Sequence, residues 1–109
     1  MPSYLKLMDG KVVHCKKEPY DIYIGRPDKW KNPFPISKKL NRKKSIIKHA
    51  NWIIIQDELM KDILELDGKI LGCWCKPKQC HGDTLLELVE IVKAAKPLES
   101  IREFVEKLF

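Results

Sequence analysis

Residues 72–83, Gly-Cys-Trp-Cys-Lys-Pro-Lys-Gln-Cys-His-Gly-Asp, hold three of the chain's four cysteines and one of its three histidines. Three chemistries fit that set. A tetrahedral zinc takes Cys and His ligands, often in pairs spaced by roughly two to four residues. Cys73, Cys75 and Cys80 are candidate ligands, with His81 as the fourth or Cys15 reaching across from a neighbouring strand. A thiol at a helix start has a lowered pKa, which makes Cys80 a candidate nucleophile. His81 beside it can donate a proton or polarise water, and Asp83 is either a further acid/base or simply the cap of the following helix. Finally, the free N–H groups of a helix start form an anion cradle, and Gly82 carries no side chain to obstruct it. Burial is the plainer alternative. Free cysteine packs as a small hydrophobe, and Trp74, pointing away from its two neighbours, reads as a core or edge anchor.

A second segment has the same character. Ile24-Gly25-Arg26-Pro27-Asp28-Lys29-Trp30-Lys31-Asn32-Pro33-Phe34 joins a strand end to a loop stiffened by prolines. Arg26 can grip a phosphate through two parallel hydrogen bonds. Trp30 and Phe34 can stack on a planar base while Asn32 reads its edge. Alternatively, the aromatics plug one end of the core and Arg26 pairs with Asp21 or Asp28.

The elements that must position these residues follow from periodicity. Residues 4–8 and 11–15 flank Asp9-Gly10, a dipeptide suited to a tight hairpin turn. Tyr20–Ile24 alternates as a strand, and a second strand spans 69–75. Ile46, Ile47, Ala50, Ile53 and Ile54 recur at helical spacing, so a helix capped by Asn41 is expected over about residues 42–56. Asp57 reads as the cap of a shorter helix stopped by Gly68. A helix from about 83 to 95 and a terminal helix after Pro97 complete the chain. The expected fold is one α/β domain over residues 1–109, a small mixed sheet of three to five strands with three or four helices. Strands 20–24 and 69–75 should run parallel, with the strand bearing Cys73 central or next to central. Both loops then leave the sheet at one edge, where open α/β sheets bind ligands.

With 44% hydrophobic and 33% charged residues, the chain has the balance of an ordered domain rather than a disordered one. No apolar run approaches the roughly 20 residues of a membrane span, and no signal-peptide layout opens the sequence. A cytoplasmic setting with reduced thiols is the expectation. The net charge of +6 favours acidic partners. Lys29, Lys31, Lys38, Lys39, Arg42, Lys43, Lys44 and Lys48 crowd together, as a nucleic-acid patch or as a solvated lysine-rich face.

The two segments together resemble a family of small phage, viral and bacterial proteins classed as a domain of unknown function. The resemblance covers about Val12 to Leu88. It rests on Ile-Gly-Arg-Pro-x-x-Trp-x-Asn-Pro-Phe and Cys-Trp-Cys-x-Pro-x-x-Cys-His-Gly-Asp. Lys31 departs from it, standing where many relatives have glycine. The resemblance implies that Arg26, Trp30, Asn32, Cys75, Cys80, His81 and Asp83 form a shared pattern, and it implies no established activity. Two functions are therefore expected in parallel. One is a cleft that binds or processes a phosphorylated, nucleotide-like ligand through Arg26, Trp30, Asn32, Phe34 and Gly82, with His81, Cys80 or Asp83 acting on a glycosidic or phosphoester bond. The other is a zinc-stabilised nucleic-acid-binding module using the lysines at 38–48.

Overall fold

The computed structural model describes residues 10–109. Strand β1 (Lys11–His14) leads through a turn to the short β2 (Ile22–Tyr23), and the proline loop then runs to helix α1 (Arg42–Ile53). Helix α2 (Asp57–Lys61) and a 3-10 turn (Ile63–Leu66) precede β3 (Ile70–Cys73), followed by α3 (His81–Lys93) and α4 (Ser100–Lys107). The sheet order is β1-β3-β2, with both pairings parallel. The expected central strand and the expected parallel pair are both present. The first arm of the expected hairpin, and with it the antiparallel part of a mixed sheet, falls on residues 1–9, outside the described residues.

Strand alternation sorts the side chains by face. Ile24, Leu71 and Cys73 enter the core with Val12 and Ile22 at its border, beneath α1 and α3. Val13, Tyr23 and Gly72 point the other way, and the Tyr20 ring lies against Gly72, where an added Cβ would sit 2.6 Å from it. Helix α3 supplies Leu85, Leu88, Val89 and Ile91 to the core, and α4 adds Ile101 and Val105.

Several boundaries differ from expectation for local reasons. Asn41 caps α1 as expected, its side chain accepting from the Lys44 N–H at 2.9 Å. Gln56, not Asp57, precedes α2, and it makes no side-chain cap bond. Helix α3 begins at His81 instead of 83 because Cys80 is its cap: the Cys80 sulfur accepts from the Gly82 N–H at 3.2 Å. Asp83 is displaced to the third helical position. There its carboxylate accepts from the Cys80 N–H at 3.0 Å, completing a reciprocal box.

Gly82 holds α3 tightly on the sheet. A Cβ there would meet Ile24 Cδ1 at 2.8 Å and Val12 Cγ2 at 2.9 Å. Gly82→Ala is expected to cost about 1 kcal/mol: overpacking is more costly than alanine's better helix preference can repay. A chemical-denaturation midpoint equal to or above that of the unsubstituted chain would refute this close approach.

Candidate functional site

The proline loop and the cysteine segment meet at one end of the sheet. They line a cleft of about 210 Å³, with Gly25, Arg26, Asn32 and Phe34 from the first and Cys73, Trp74, Cys75, Cys80 and His81 from the second. Arg42, Ser45 and Ile46 of α1 form a third wall. The loop is tied to that wall by hydrogen bonds. Asn32 Nδ2 donates to Ser45 Oγ at 2.9 Å, Asn32 Oδ1 accepts from the Phe34 N–H at 2.9 Å, and the Ser45 hydroxyl donates to the Phe34 carbonyl. Asn32 thus holds the cleft in shape.

On the opposite wall the sulfurs of Cys73, Cys75 and Cys80 lie within 4.8 Å of one another. Cys73 ends β3, Cys75 follows in the turn, and Cys80 returns as the α3 cap. Tetrahedral zinc–thiolate bonds of about 2.3 Å place sulfurs about 3.8 Å apart, so the triad needs only a small contraction. The three cysteines could hold a metal ion. Cys15 lies outside this group although its N–H bonds to the Cys73 carbonyl at 2.8 Å. His81 lies outside it too. Its Nε2 is 2.9 Å from the Ile24 carbonyl, which can only accept, so that nitrogen carries the proton. Nδ1 then faces the Cys80 sulfur at 3.7 Å. Burial holds the His81 imidazole below its ordinary pKa, and it is neutral at pH 7.

The thiols act on one another. Hydrogen bonds from Cys73 and Cys80, with Arg42 alongside, pull the Cys75 thiol far down, while the same contacts push Cys80 and Cys73 up. Arg42 is the residue that sequence reasoning left in the lysine patch. It is the first residue of α1, and its Nη1 donates to the Gln79 carbonyl at 3.0 Å.

Other expected site residues are placed differently. Trp30 is 1% exposed, with its Nε1 donating to Glu65 at 3.3 Å, so it is a core plug rather than a stacking surface. Phe34 lines the cleft and meets Trp52 edge-on at 6.3 Å. Gly82 and Asp83 stand behind the cleft, outside its lining. Their N–H groups bond to the Cys80 sulfur and carbonyl at 3.2 and 3.0 Å, so the expected anion cradle is already filled. Asp83 also pairs with Lys76 at 2.9 Å. Arg26 is exposed at the rim. Asp21 and Asp28, its alternative partners, accept from the backbone N–H groups of Ile70 and Trp30. The lysine patch is partly consumed: Lys29 pairs with Glu65 at 2.9 Å and Asp62 at 3.0 Å, and Lys43 lies 3.9 Å from Glu106. No helix among the described residues is long and apolar enough to cross a membrane.

A family model described as a domain of unknown function, DUF4326, matches residues 9–91, enclosing both loops and the three cysteines. The chain belongs to DUF4326. Similar chains occur in viruses. "Uncharacterized protein R718" of Acanthamoeba polyphaga mimivirus is 36% identical over 67% of this chain and 69% of its own length. The "Uncharacterized 12.4 kDa protein in nrdA-td intergenic region" of Enterobacteria phage T4 is 34% identical over 72% of this chain and 76% of its own. No solved structure matches the chain.

Proposed function

We propose that the cleft binds a phosphorylated, nucleotide-like ligand beside a zinc ion held by Cys73, Cys75 and Cys80. One observation carries this reading: three sulfurs within 4.8 Å of one another occupy the wall of a cleft that Arg26 and Arg42 also line. Three soft thiolates favour zinc among the common divalent ions, and three protein ligands leave a fourth position for water or ligand. Zinc so bound supplies a Lewis acid and lowers the pKa of its water. The two guanidinium groups suit the forked recognition of phosphate oxygens. His81 is a positioning residue in this arrangement. Its bond to Ile24 fixes the strand end from which Gly25 and Arg26 depart. Of the lysines at 38–48 that a metal-stabilised nucleic-acid module would use, Lys43 lies 3.9 Å from Glu106.

Thermal-shift titration of the zinc-loaded chain with nucleoside mono-, di- and triphosphates tests the proposal. At least one should raise the melting temperature in a concentration-dependent manner. Arg26→Ala and Arg42→Ala should each weaken binding by about tenfold or more, the worth of a charged hydrogen bond. Arg26→Ala should leave the ligand-free melting temperature in place, because an exposed arginine stabilises little. No response to any of these phosphates by the loaded chain would overturn the reading.

A further inference from the structure

The cleft is small for the ligand just proposed. At about 210 Å³ it falls below the roughly 300–1,000 Å³ of sites that enclose a drug-sized molecule. A nucleotide seated by its phosphate must therefore extend past the rim, and what lies at the rim is aromatic. Trp74 lines the cleft and is nevertheless 55% exposed. Its ring is held firmly: Nε1 donates to the Tyr23 hydroxyl at 2.8 Å, His14 meets it edge-on at 5.7 Å, and the Lys16 ammonium lies 5.5 Å from its centre. Tyr20, 42% exposed, continues the surface 6.2 Å from Tyr23. This ledge occupies the sheet face turned away from the core helices. Lys17 and Lys78, both exposed, are near it in sequence, and of the nearby acids Glu18 lies 3.8 Å from Lys11 while Asp21 accepts from the Ile70 N–H at 2.8 Å.

We propose that the Trp74–Tyr23–Tyr20 ledge stacks an unpaired base of a single-stranded nucleic acid, the adjacent nucleotide of that strand entering the cleft. The proposal rests on the reading of the cleft as a phosphate-bearing nucleotide site and names its substrate class: a strand rather than a free mononucleotide. A fixed, exposed indole offers a flat π-face that any base can use, and the Lys16 ammonium beside it matches the backbone charge. A duplex keeps its base faces stacked internally, so the ledge selects unpaired nucleotides.

Fluorescence anisotropy of a labelled single-stranded 12-nucleotide DNA with the zinc-loaded full chain, beside a nucleoside monophosphate titration, tests the idea. Trp74→Leu should weaken strand binding by at least fivefold, and Trp74→Phe, which keeps an aromatic face, by less. Tyr20→Leu, at the ledge residue outside the cleft lining, should also weaken strand binding while changing monophosphate binding little. If the monophosphate binds and Trp74→Leu leaves strand affinity intact, the ledge proposal falls and the cleft reading survives. If neither the monophosphate nor the strand binds, both fall. If Trp74→Leu abolishes a dimer seen by sedimentation without altering strand affinity, the ledge belongs to a second copy of the chain and the proposal is overturned.

Discussion

Cys80→Ser is expected to weaken zinc binding by more than about 100-fold, a larger loss than outer-shell substitutions cause, while leaving the metal-free protein as stable as before. The two halves of that result separate the sulfur's two duties. Serine is a favourable helix cap, and its oxygen can accept from Gly82 as the Cys80 sulfur does at 3.2 Å. It is a poor replacement for a thiolate on zinc. Zinc at a thousandfold excess over its dissociation constant should stabilise the unsubstituted chain by about 4 kcal/mol. The same zinc should stabilise the serine variant by only about 1.4 kcal/mol, the consequence of a 100-fold weaker site. Cys73→Ser and Cys75→Ser should behave alike, since all three sulfurs belong to one group. Binding should also tighten as pH rises, because a thiol must lose its proton to ligate the metal. Melting curves in zinc and in chelator, with metal content by mass spectrometry, give the answer. An unsubstituted chain whose melting point ignores zinc would remove the metal centre altogether.

The second large effect is acid instability seated at His49. This histidine is fully buried on α1, its ring 5.1 Å from that of His81 and 6.0 Å from that of Trp52. Neither ring nitrogen has a hydrogen-bond partner among the described residues. Burial, aided by repulsion from His81, holds its pKa well below 6.5. The folded chain thus refuses a proton that the unfolded chain accepts below about pH 6.5. Stability contributed by this site is complete above that value and falls with decreasing pH, by up to about 1.4 kcal/mol per unit, until the folded-state pKa is reached. His49→Leu should remove this share of the slope. At pH 7.5 it should be neutral or stabilising, because two unpartnered polar atoms leave the core. Urea unfolding from pH 7.5 to 4.5 measures both, and parallel pH profiles for the two proteins would refute the assignment.

Much of the architecture was legible because it depends on local pattern. The alternation at 20–24, the apolar run into Cys73 and the periodic isoleucines of α1 led to the parallel pair, the central strand and the Asn41 cap. The convergence of the two loops followed from that topology. The roles of individual aromatics did not. Trp30 and Trp74 each sit beside charged residues, and only tertiary packing buries the first and leaves the second 55% exposed. The outward direction of Trp74 was readable from strand alternation, but whether anything covered it was not. Cys80 displaced Asp83 as the cap because the backbone enters α3 three residues earlier than the acidic side chain suggests. Arg42 was visible as a helix-start residue, yet its approach to Cys75 depends on how α1 crosses the cysteine turn. His49 was not read from the sequence, although its place on the same helical face as Ile46, Ala50 and Ile53 is a signal that could have marked it as core-facing but not as partnerless.

The strand order has a consequence for how the molecule is assembled. β1 and β2 do not pair with each other; each pairs with β3, the first of them roughly sixty residues upstream of its partner. During synthesis the first two strands therefore emerge with no sheet to join. None of these ladder bonds can close until the ribosome has delivered Ile70–Cys73, and the cysteine turn and α3 follow at once. Pairing across such a long separation is slow, and it leaves two β-competent segments waiting in the nascent chain. Once β3 arrives, it brings together the sheet and the first of the three sulfurs, Cys73, with Cys75 and Cys80 following directly in the turn and the α3 cap. Folding of this domain should thus be late and concerted, with the metal ligands assembled by the same step that closes the core.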